Sequence, residues 1–233
     1  MDTRLNAIWL TPYGFNDIDL DPYGSIYELI YKNLLNERYN FGHPKYEYIY
    51  LNIGALGLLP QPDTPSEYLT TVEIEFDIDD YKLANEPTKE LMIINLYADG
   101  LTKIALSAGM DCTAINNVRD IALQYRAKTL LNIKNINTEK YSLKISIPAV
   151  SWMQEEPVYL SFQQKSSGRK KTICVGTAKL IEAAIWLQKV TVSSKTIRIT
   201  SSTSGRFTEL LKNYPSKLEY NIEDLLSGRV GES

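Results

Sequence analysis

An alternating stretch at residues 70–80, TTVEIEFDIDD, constrains the fold more than any other feature of the chain. A β-strand would place its apolar and acidic side chains on opposite faces. The apolar set is Val72, Ile74, Phe76 and Ile78, and the acidic set is Glu73, Glu75, Asp77 and Asp79. Same-face neighbours lie about 6.8 Å apart, so such carboxylates repel one another unless water, a cation or a basic partner faces them. The sequence predicts a strand with one buried face and one acidic face.

The acidic face has three interpretations. It is the solvated outside of an antiparallel sheet, a surface that meets a basic partner, or a metal site built from Asp77, Asp79 and Asp80. Metal sites draw their ligands from several elements rather than from one strand. We therefore expect no metal or cofactor, and we treat Glu73, Glu75, Asp77 and Asp79 as candidate interaction residues.

Charge is distributed unevenly along the 233 residues. Residues 1–125 carry 8 Lys and Arg against 19 Asp and Glu, a net charge of −11. Residues 126–233 carry 17 against 9, a net charge of +8. Such an asymmetry bears on which partners the chain binds, or on docking between the halves, and not on the fold.

The basic half contains a compact run, Arg169, Lys170 and Lys171, between two predicted strands. This run is the candidate surface for an acidic partner. A nucleic-acid surface would have aromatic side chains interleaved with the basic ones, and the chain as a whole is not basic. We therefore do not expect nucleic acid as a partner.

The periodicities predict an α+β fold, with mixed or mainly antiparallel sheets, helices packed on one face, and two loosely separate halves. Residues 1–110 form the acidic half, 111–132 a junction helix and 133–233 the basic half, which reads β, β, β, α, β, α. Within the acidic half, Asp99-Gly100 stands between the apolar runs 91–98 and 101–108. That dipeptide between apolar runs predicts a type I′ hairpin.

Tyrosine is frequent, at 16 of 233 residues. Its ring contributes apolar area and its hydroxyl a polar tip, which suits contact surfaces as well as half-buried strands. We favour the half-buried strand positions.

Several catalytic classes find no support in the sequence. The single histidine, His43, argues against Ser-His-Asp or Cys-His catalysis. The cysteines, Cys112 and Cys174, are too few for a disulfide framework and lack zinc-site spacing. No phosphate-binding glycine motif is present.

One enzymatic alternative remains, a Mg²⁺-dependent nuclease. Gln163 and Lys165 match the Gln-x-Lys element with which such enzymes hold the metal and position the attacking water. The only acids close upstream are Glu155 and Glu156, beside Pro157, and the expected acidic strand is missing.

The chain shows no signal-peptide pattern and no run near 18 apolar residues. We expect a cytoplasmic or virion location and no membrane partner. The favoured function is non-enzymatic protein–protein contact, as a structural or adaptor subunit of a larger microbial or phage assembly. Its partners would be other protein subunits, including copies of itself. An immunity-type inhibitor, with an acidic face against a basic toxin, is the second binding hypothesis.

Overall fold

The computed structural model describes residues 5–12, 19–20, 22–36, 46–54, 69–150, 154–201, 207 and 209–229. Within these ranges, six α-helices and ten strands in three sheets confirm the predicted α+β class. The chain divides into two compact units, residues 1–129 and 130–233. No helix in the described ranges combines the length and the apolar composition that a membrane crossing requires.

The first unit is built on a three-stranded parallel sheet. Its strands, in spatial order, are β1 (Ala7–Pro12), β2 (Tyr48–Gly54) and β3 (Leu69–Glu75). Its helices are α1 (Tyr23–Leu34), α2 (Ile78–Leu83), α3 (Glu86–Ser107) and α4 (Thr113–Tyr125). Parallel neighbours need a crossover, and α1 lies in the connection between β1 and β2. The helix predicted over 111–132 is the shorter α4, which packs on α1 and α3.

The predicted hairpin at Asp99-Gly100 is wrong, because both residues lie inside the 22-residue helix α3. Gly100 faces the sheet, where a Cβ atom would stand 2.6 Å from Cδ1 of Ile74 and 2.7 Å from Cδ2 of Leu51. Both distances are shorter than real Cβ contacts, so a side chain at this position would force the ends of Ile74 and Leu51 to move. The glycine lets the helix approach the sheet closely; it does not turn the chain.

Three fully buried tyrosines join α1 to α3. Others occupy the half-buried strand positions that the sequence favoured: Tyr48, Tyr50, Tyr141, Tyr159 and Tyr220. Tyr31 and Tyr97 stack with ring centroids 5.5 Å apart. Each hydroxyl donates to the other helix: Tyr27 to Oε1 of Glu90 at 2.6 Å, Tyr31 to the carbonyl of Ile94 at 2.9 Å, and Tyr97 to the carbonyl of Gly24 at 2.9 Å. Burial raises the pKa of Tyr27, and its hydrogen bond to the Glu90 carboxylate raises it further.

The second unit contains two antiparallel sheets. The first holds β4 (Leu130–Asn137), β5 (Tyr141–Pro148), β6 (Glu156–Gln164) and β7 (Lys170–Ala178), in that order. The second holds β8 (Lys189–Val192), β9 (Thr196–Thr200) and β10 (Lys217–Asn221), with β9 in the middle. Helices α5 (Leu180–Trp186) and α6 (Ile222–Ser227) complete the unit. Buried apolar side chains from both sheets and both helices form one core.

The second unit reads β, β, β, β, α, β, β, β, α, with more strands than the sequence predicted. β4 begins inside the stretch assigned to the junction helix, directly after a 3₁₀ turn at Arg126–Lys128. The one strand predicted between the two helices of this half is the hairpin β8–β9. Ser193 makes the turn, because its Oγ accepts the backbone N–H groups of Lys195 at 3.2 Å and Thr196 at 2.9 Å.

We expect Asp99→Ala to leave the free energy of unfolding unchanged or slightly higher, because alanine has the better propensity at an exposed helix position. Gly100→Val should lower it by about 1–3 kcal/mol, because the new side chain overpacks against Leu51 and Ile74. Urea unfolding followed by circular dichroism measures both effects. A loss for Asp99→Ala as large as that for Gly100→Val would favour a turn over the helix.

A second expectation concerns alkaline pH. Because the pKa of Tyr27 is raised in the folded protein, the unfolded chain loses this proton first, above pH 10 or so. Stability from this group is present below that pH and falls as pH rises further. Tyr27→Phe should make the slope of unfolding free energy against pH shallower by up to about 1.4 kcal/mol per unit. Tyr125→Phe, at a ring that is 51% exposed, is the matched control. Equal slopes in both variants would contradict the linkage.

Candidate functional site

The sheet of the first unit carries a partly exposed aromatic cluster on the face opposite α3. Leu51 and Ile74 contact α3, so their strand neighbours point the other way. On that side the Trp9 ring stacks with Tyr48 at 5.6 Å and lies against Tyr50 at 4.7 Å between centroids. Trp9 remains 37% exposed. We call Trp9, Tyr48 and Tyr50 the aromatic face; it offers flat apolar area whose rings are already held in place.

Two carboxylates continue this face along β3. Thr71 is the register partner of Tyr50, and Glu73 and Glu75 follow it at the two-residue spacing of one strand face. Glu73 is half-buried and Glu75 is exposed. Lys103 donates from Nζ to the backbone carbonyl of Glu73 at 3.2 Å, not to its carboxylate. Glu73 is therefore the diagonal neighbour of Tyr50 on this face, and Glu75 lies two residues further along it.

The strand predicted over 70–80 ends at Glu75, which corrects the placement of the remaining acids. Asp77 is the N-cap of α2, where its carboxylate accepts the backbone N–H of Asp80 at 2.9 Å. Asp79 lies exposed in the first helical turn. An aspartate followed by two more acids is a favourable helix start, and this local preference ends the strand. The predicted row of four is two strand carboxylates followed by a helix cap and first turn.

The carboxylates of Glu73, Glu75, Asp77, Asp79 and Asp80, here the acidic segment, share one property. None lies within ion-pair distance of a lysine or arginine in the described ranges. The first unit carries 10 Lys and Arg against 19 Asp and Glu, a net charge of −9. The segment is thus a concentrated part of a generally acidic unit.

The structure places Arg169, Lys170 and Lys171 at the β6–β7 turn and the start of β7. Arg169 donates to Oε2 of Glu223 at 3.2 Å, an exposed pair of small energetic weight. Lys170 is exposed and Lys171 half-buried, and neither forms an ion pair within the described part of the chain. We call these three residues the basic hairpin. The second unit carries 15 Lys and Arg against 9 Asp and Glu, a net charge of +6.

The nuclease arrangement does not assemble around β6. Gln163 pairs with Lys170 at one end of the β6–β7 ladder, and Glu156 pairs with Ala178 at the other. Gln163 lies seven residue steps along the strand from Glu156, about 24 Å. Within the described ranges no three His, Cys, Asp or Glu side chains are grouped to hold a metal ion. His43 lies outside those ranges.

The outer edge of β1 is met by a side chain of α1. The Glu28 carboxylate accepts the backbone N–H of Ile8, and burial raises its pKa despite the nearby charge of Lys32. A half-buried charge at a strand edge discourages pairing with a further strand. This arrangement favours the sheet face over the edge at Ile8 as a contact surface.

Sequence reasoning found the acidic side chains but missed the aromatic face. A signal was present in the sequence, because Tyr48 and Tyr50 alternate with the aliphatic residues Ile49 and Leu51. Trp9 gave no comparable signal, because its strand is short. Its place next to the tyrosines comes from its pairing with Tyr50 across the sheet. Only the register brings Trp9 and the tyrosines together.

No family model, curated protein or solved structure matches this chain. The features that can support a functional proposal are therefore those of the chain itself. They are the aromatic face, the acidic segment and the basic hairpin.

The N-cap role of Asp77 separates it from the other acids. Asp77→Ala should lower the free energy of unfolding by about 1 kcal/mol, because it removes the acceptor for the Asp80 N–H. Asp77→Asn should be close to neutral, since asparagine caps equally well. Glu75→Gln is the matched control on the strand and should change stability by less than about 0.5 kcal/mol. Equal effects of Asp77→Ala and Asp77→Asn in urea unfolding would argue against the cap.

Proposed function

We propose that this chain is a non-enzymatic, protein-binding subunit of a larger assembly. In this proposal the aromatic face and acidic segment of one copy contact the basic hairpin of another. The observation that carries it is the exposed ring of Trp9 on the same sheet face as Glu73 and Glu75, carboxylates with no ion-pair partner in the described ranges.

The pairing of ring and carboxylates suits a lysine or arginine side chain. A cation over the face of a tryptophan gains about 0.5–1 kcal/mol at an exposed site. A carboxylate on the same sheet face adds a charge-assisted hydrogen bond to a second basic side chain of the partner. An acidic surface without aromatic rings would attract a partner only through screened charge. Aromatic rings without carboxylates would offer the partner only apolar area. The combination favours a basic protein surface as the partner.

The same chain supplies such a surface. Lys170 is exposed, and neither it nor Lys171 has an ion-pair partner among the residues described. The two units also carry net charges of opposite sign, −9 and +6. Contact between different surfaces of identical copies is heterologous and propagates into closed or open assemblies. This is why copies of the chain are the partner in this proposal.

The immunity-type inhibitor is the second candidate, and the same observations favour it. Carboxylates on the same sheet face as the exposed Trp9 ring would equally occupy the basic site of another protein. The two functions differ in oligomeric state, since an inhibitor works as a monomer against its target. Oligomeric state in the absence of other proteins therefore separates them.

Sedimentation velocity across a salt series tests the proposal. Assembly should be present at 0.05 M salt and weaken towards 1 M, where the Debye length falls to about 3 Å. The double variant Glu73→Gln/Glu75→Gln should weaken it, and Trp9→Ala should weaken it even at high salt. Lys170→Glu/Lys171→Glu should act as strongly as the acidic variant. Lys144→Gln, at an exposed lysine in β5, is the matched control and should leave assembly unchanged.

A charge-swap experiment makes the test specific. Glu73→Lys/Glu75→Lys and Lys170→Glu/Lys171→Glu should each fail to assemble alone, and a mixture of the two should associate. Failure of the mixture would show that these surfaces do not meet. A wild-type monomer at every salt concentration would overturn self-assembly and leave the inhibitor as the better hypothesis.

A further inference from the structure

The second unit has an open pocket that neither the acidic segment nor the aromatic face touches. Its volume is about 740 Å³, and it lies where the hairpin ends of the two antiparallel sheets meet. Three turns surround it, those of β4–β5, β6–β7 and β8–β9. This volume falls within the roughly 300–1,000 Å³ typical of small-molecule sites.

The floor of the pocket is apolar and continues the core of the unit. Tyr141 and Phe162 face one another with ring centroids 5.9 Å apart. Val192 and Ile222 complete the floor from the second sheet and from the start of α6. A ligand that reaches this floor must therefore present an apolar body.

The rim is polar, with more positive than negative charge. Lys140 and Lys165 both line it and are exposed, and Glu139 is the one carboxylate among the residues that line the pocket. Hydroxyl groups of Ser166 and Ser194 stand at the same opening. A ligand head group at this rim would meet two ammonium groups and two hydroxyl donors.

Backbone hydrogen bonds hold the rim together. The N–H of Lys165 donates to the carbonyl of Lys140 at 2.9 Å, which joins the β4–β5 turn to the end of β6. The N–H of Ile222 donates to the carbonyl of Lys195 at 2.8 Å, which joins the β8–β9 turn to α6. A rim fixed in this way loses little conformational freedom when a ligand binds.

We infer that this pocket binds a small amphipathic anion, with an apolar body on the Tyr141–Phe162 floor and a carboxylate or phosphate head between Lys140 and Lys165. Charge complementarity selects the head group, and the apolar floor selects the body. Lysine is a point-charge partner for either head group, in contrast to the planar fork of arginine. This inference is independent of the proposed self-assembly, because it uses none of the residues of that contact.

Titration of the full chain, followed by ¹H–¹⁵N NMR shifts, tests the inference with four probes. Octanoate and octyl phosphate carry both parts of the ligand, octanol only the body, and acetate only the head. The two amphipathic anions should bind saturably and shift the amides of Tyr141, Ser193 and Ser194. They should bind roughly five- to tenfold more tightly than octanol, while acetate should not saturate. The tighter of the two anions identifies the head group.

Three variants locate the binding. Lys140→Gln and Lys165→Gln should each weaken octanoate binding about two- to fivefold and leave octanol binding unchanged. Ser194→Trp places a large ring at the exposed mouth and should block both ligands. Lys144→Gln is the matched control, because that exposed lysine lies on the outward side of β5.

The inference is overturned if octanol binds as tightly as octanoate, because the rim lysines would then contribute nothing. It is also overturned if the anions shift no amide at the pocket. Unchanged octanoate affinity in both lysine variants, with native-like spectra, is a third contradicting outcome.

Discussion

The close approach of α3 to the parallel sheet is the contact on which the first unit depends. A helix at this distance needs a residue without a side chain at the point of contact, and Gly100 provides it against Leu51 and Ile74. The same helix carries Tyr97, whose hydroxyl donates a hydrogen bond to the carbonyl of Gly24 in α1. The helical layer and the sheet are thereby fixed to each other through one element. With the apolar side of the sheet committed to α3, Trp9 is left on the other side.

The second unit is packed in a different way. Two antiparallel sheets enclose a core between them, and the ends of that core have to be closed by whatever connects the strands. At one end the connections are short turns rich in serine and lysine, around Lys140, Ser166 and Ser194. Such side chains extend into water and cannot fill the space above Tyr141 and Phe162. An open pocket with an apolar floor and a charged rim is the physical consequence.

Elements with one strong local pattern were predicted correctly from the sequence, and the prediction failed where two patterns competed. The strands β5, β6 and β7 were found because alternation and a Ser-Gly turn agree there. Asp99-Gly100 was misread because the turn signal was weighed above helical spacing, which runs through Ile93, Tyr97, Leu101 and Ile104. That spacing marks the side of α3 that packs against its neighbours. Tertiary contact therefore favoured the helix over the turn.

The candidate site was only partly predictable for a related reason. Alternation along one strand showed which side Glu73 and Glu75 occupy, because that information is local. The end of the strand at Glu75 is set by the cap hydrogen bond of Asp77, which competes with two more residues of ladder. The aromatic face depends on the register between β1 and β2, which no single stretch of sequence contains. Non-local pairing is therefore the part of the site that sequence reasoning could not supply.

Charge and aromatic rings would contribute to the proposed contact in different ways. Exposed carboxylates such as Glu75 act over a Debye length, so they orient an approaching basic surface and accelerate encounter. Their net contribution to the bound state is small, because each is already well solvated. The Trp9 ring acts only in contact, where burial of its exposed part and its stacking on Tyr48 keep the partner in place. In the proposed contact an acidic segment alone would therefore give fast and weak encounters, and the aromatic face would supply the contact that holds the partner.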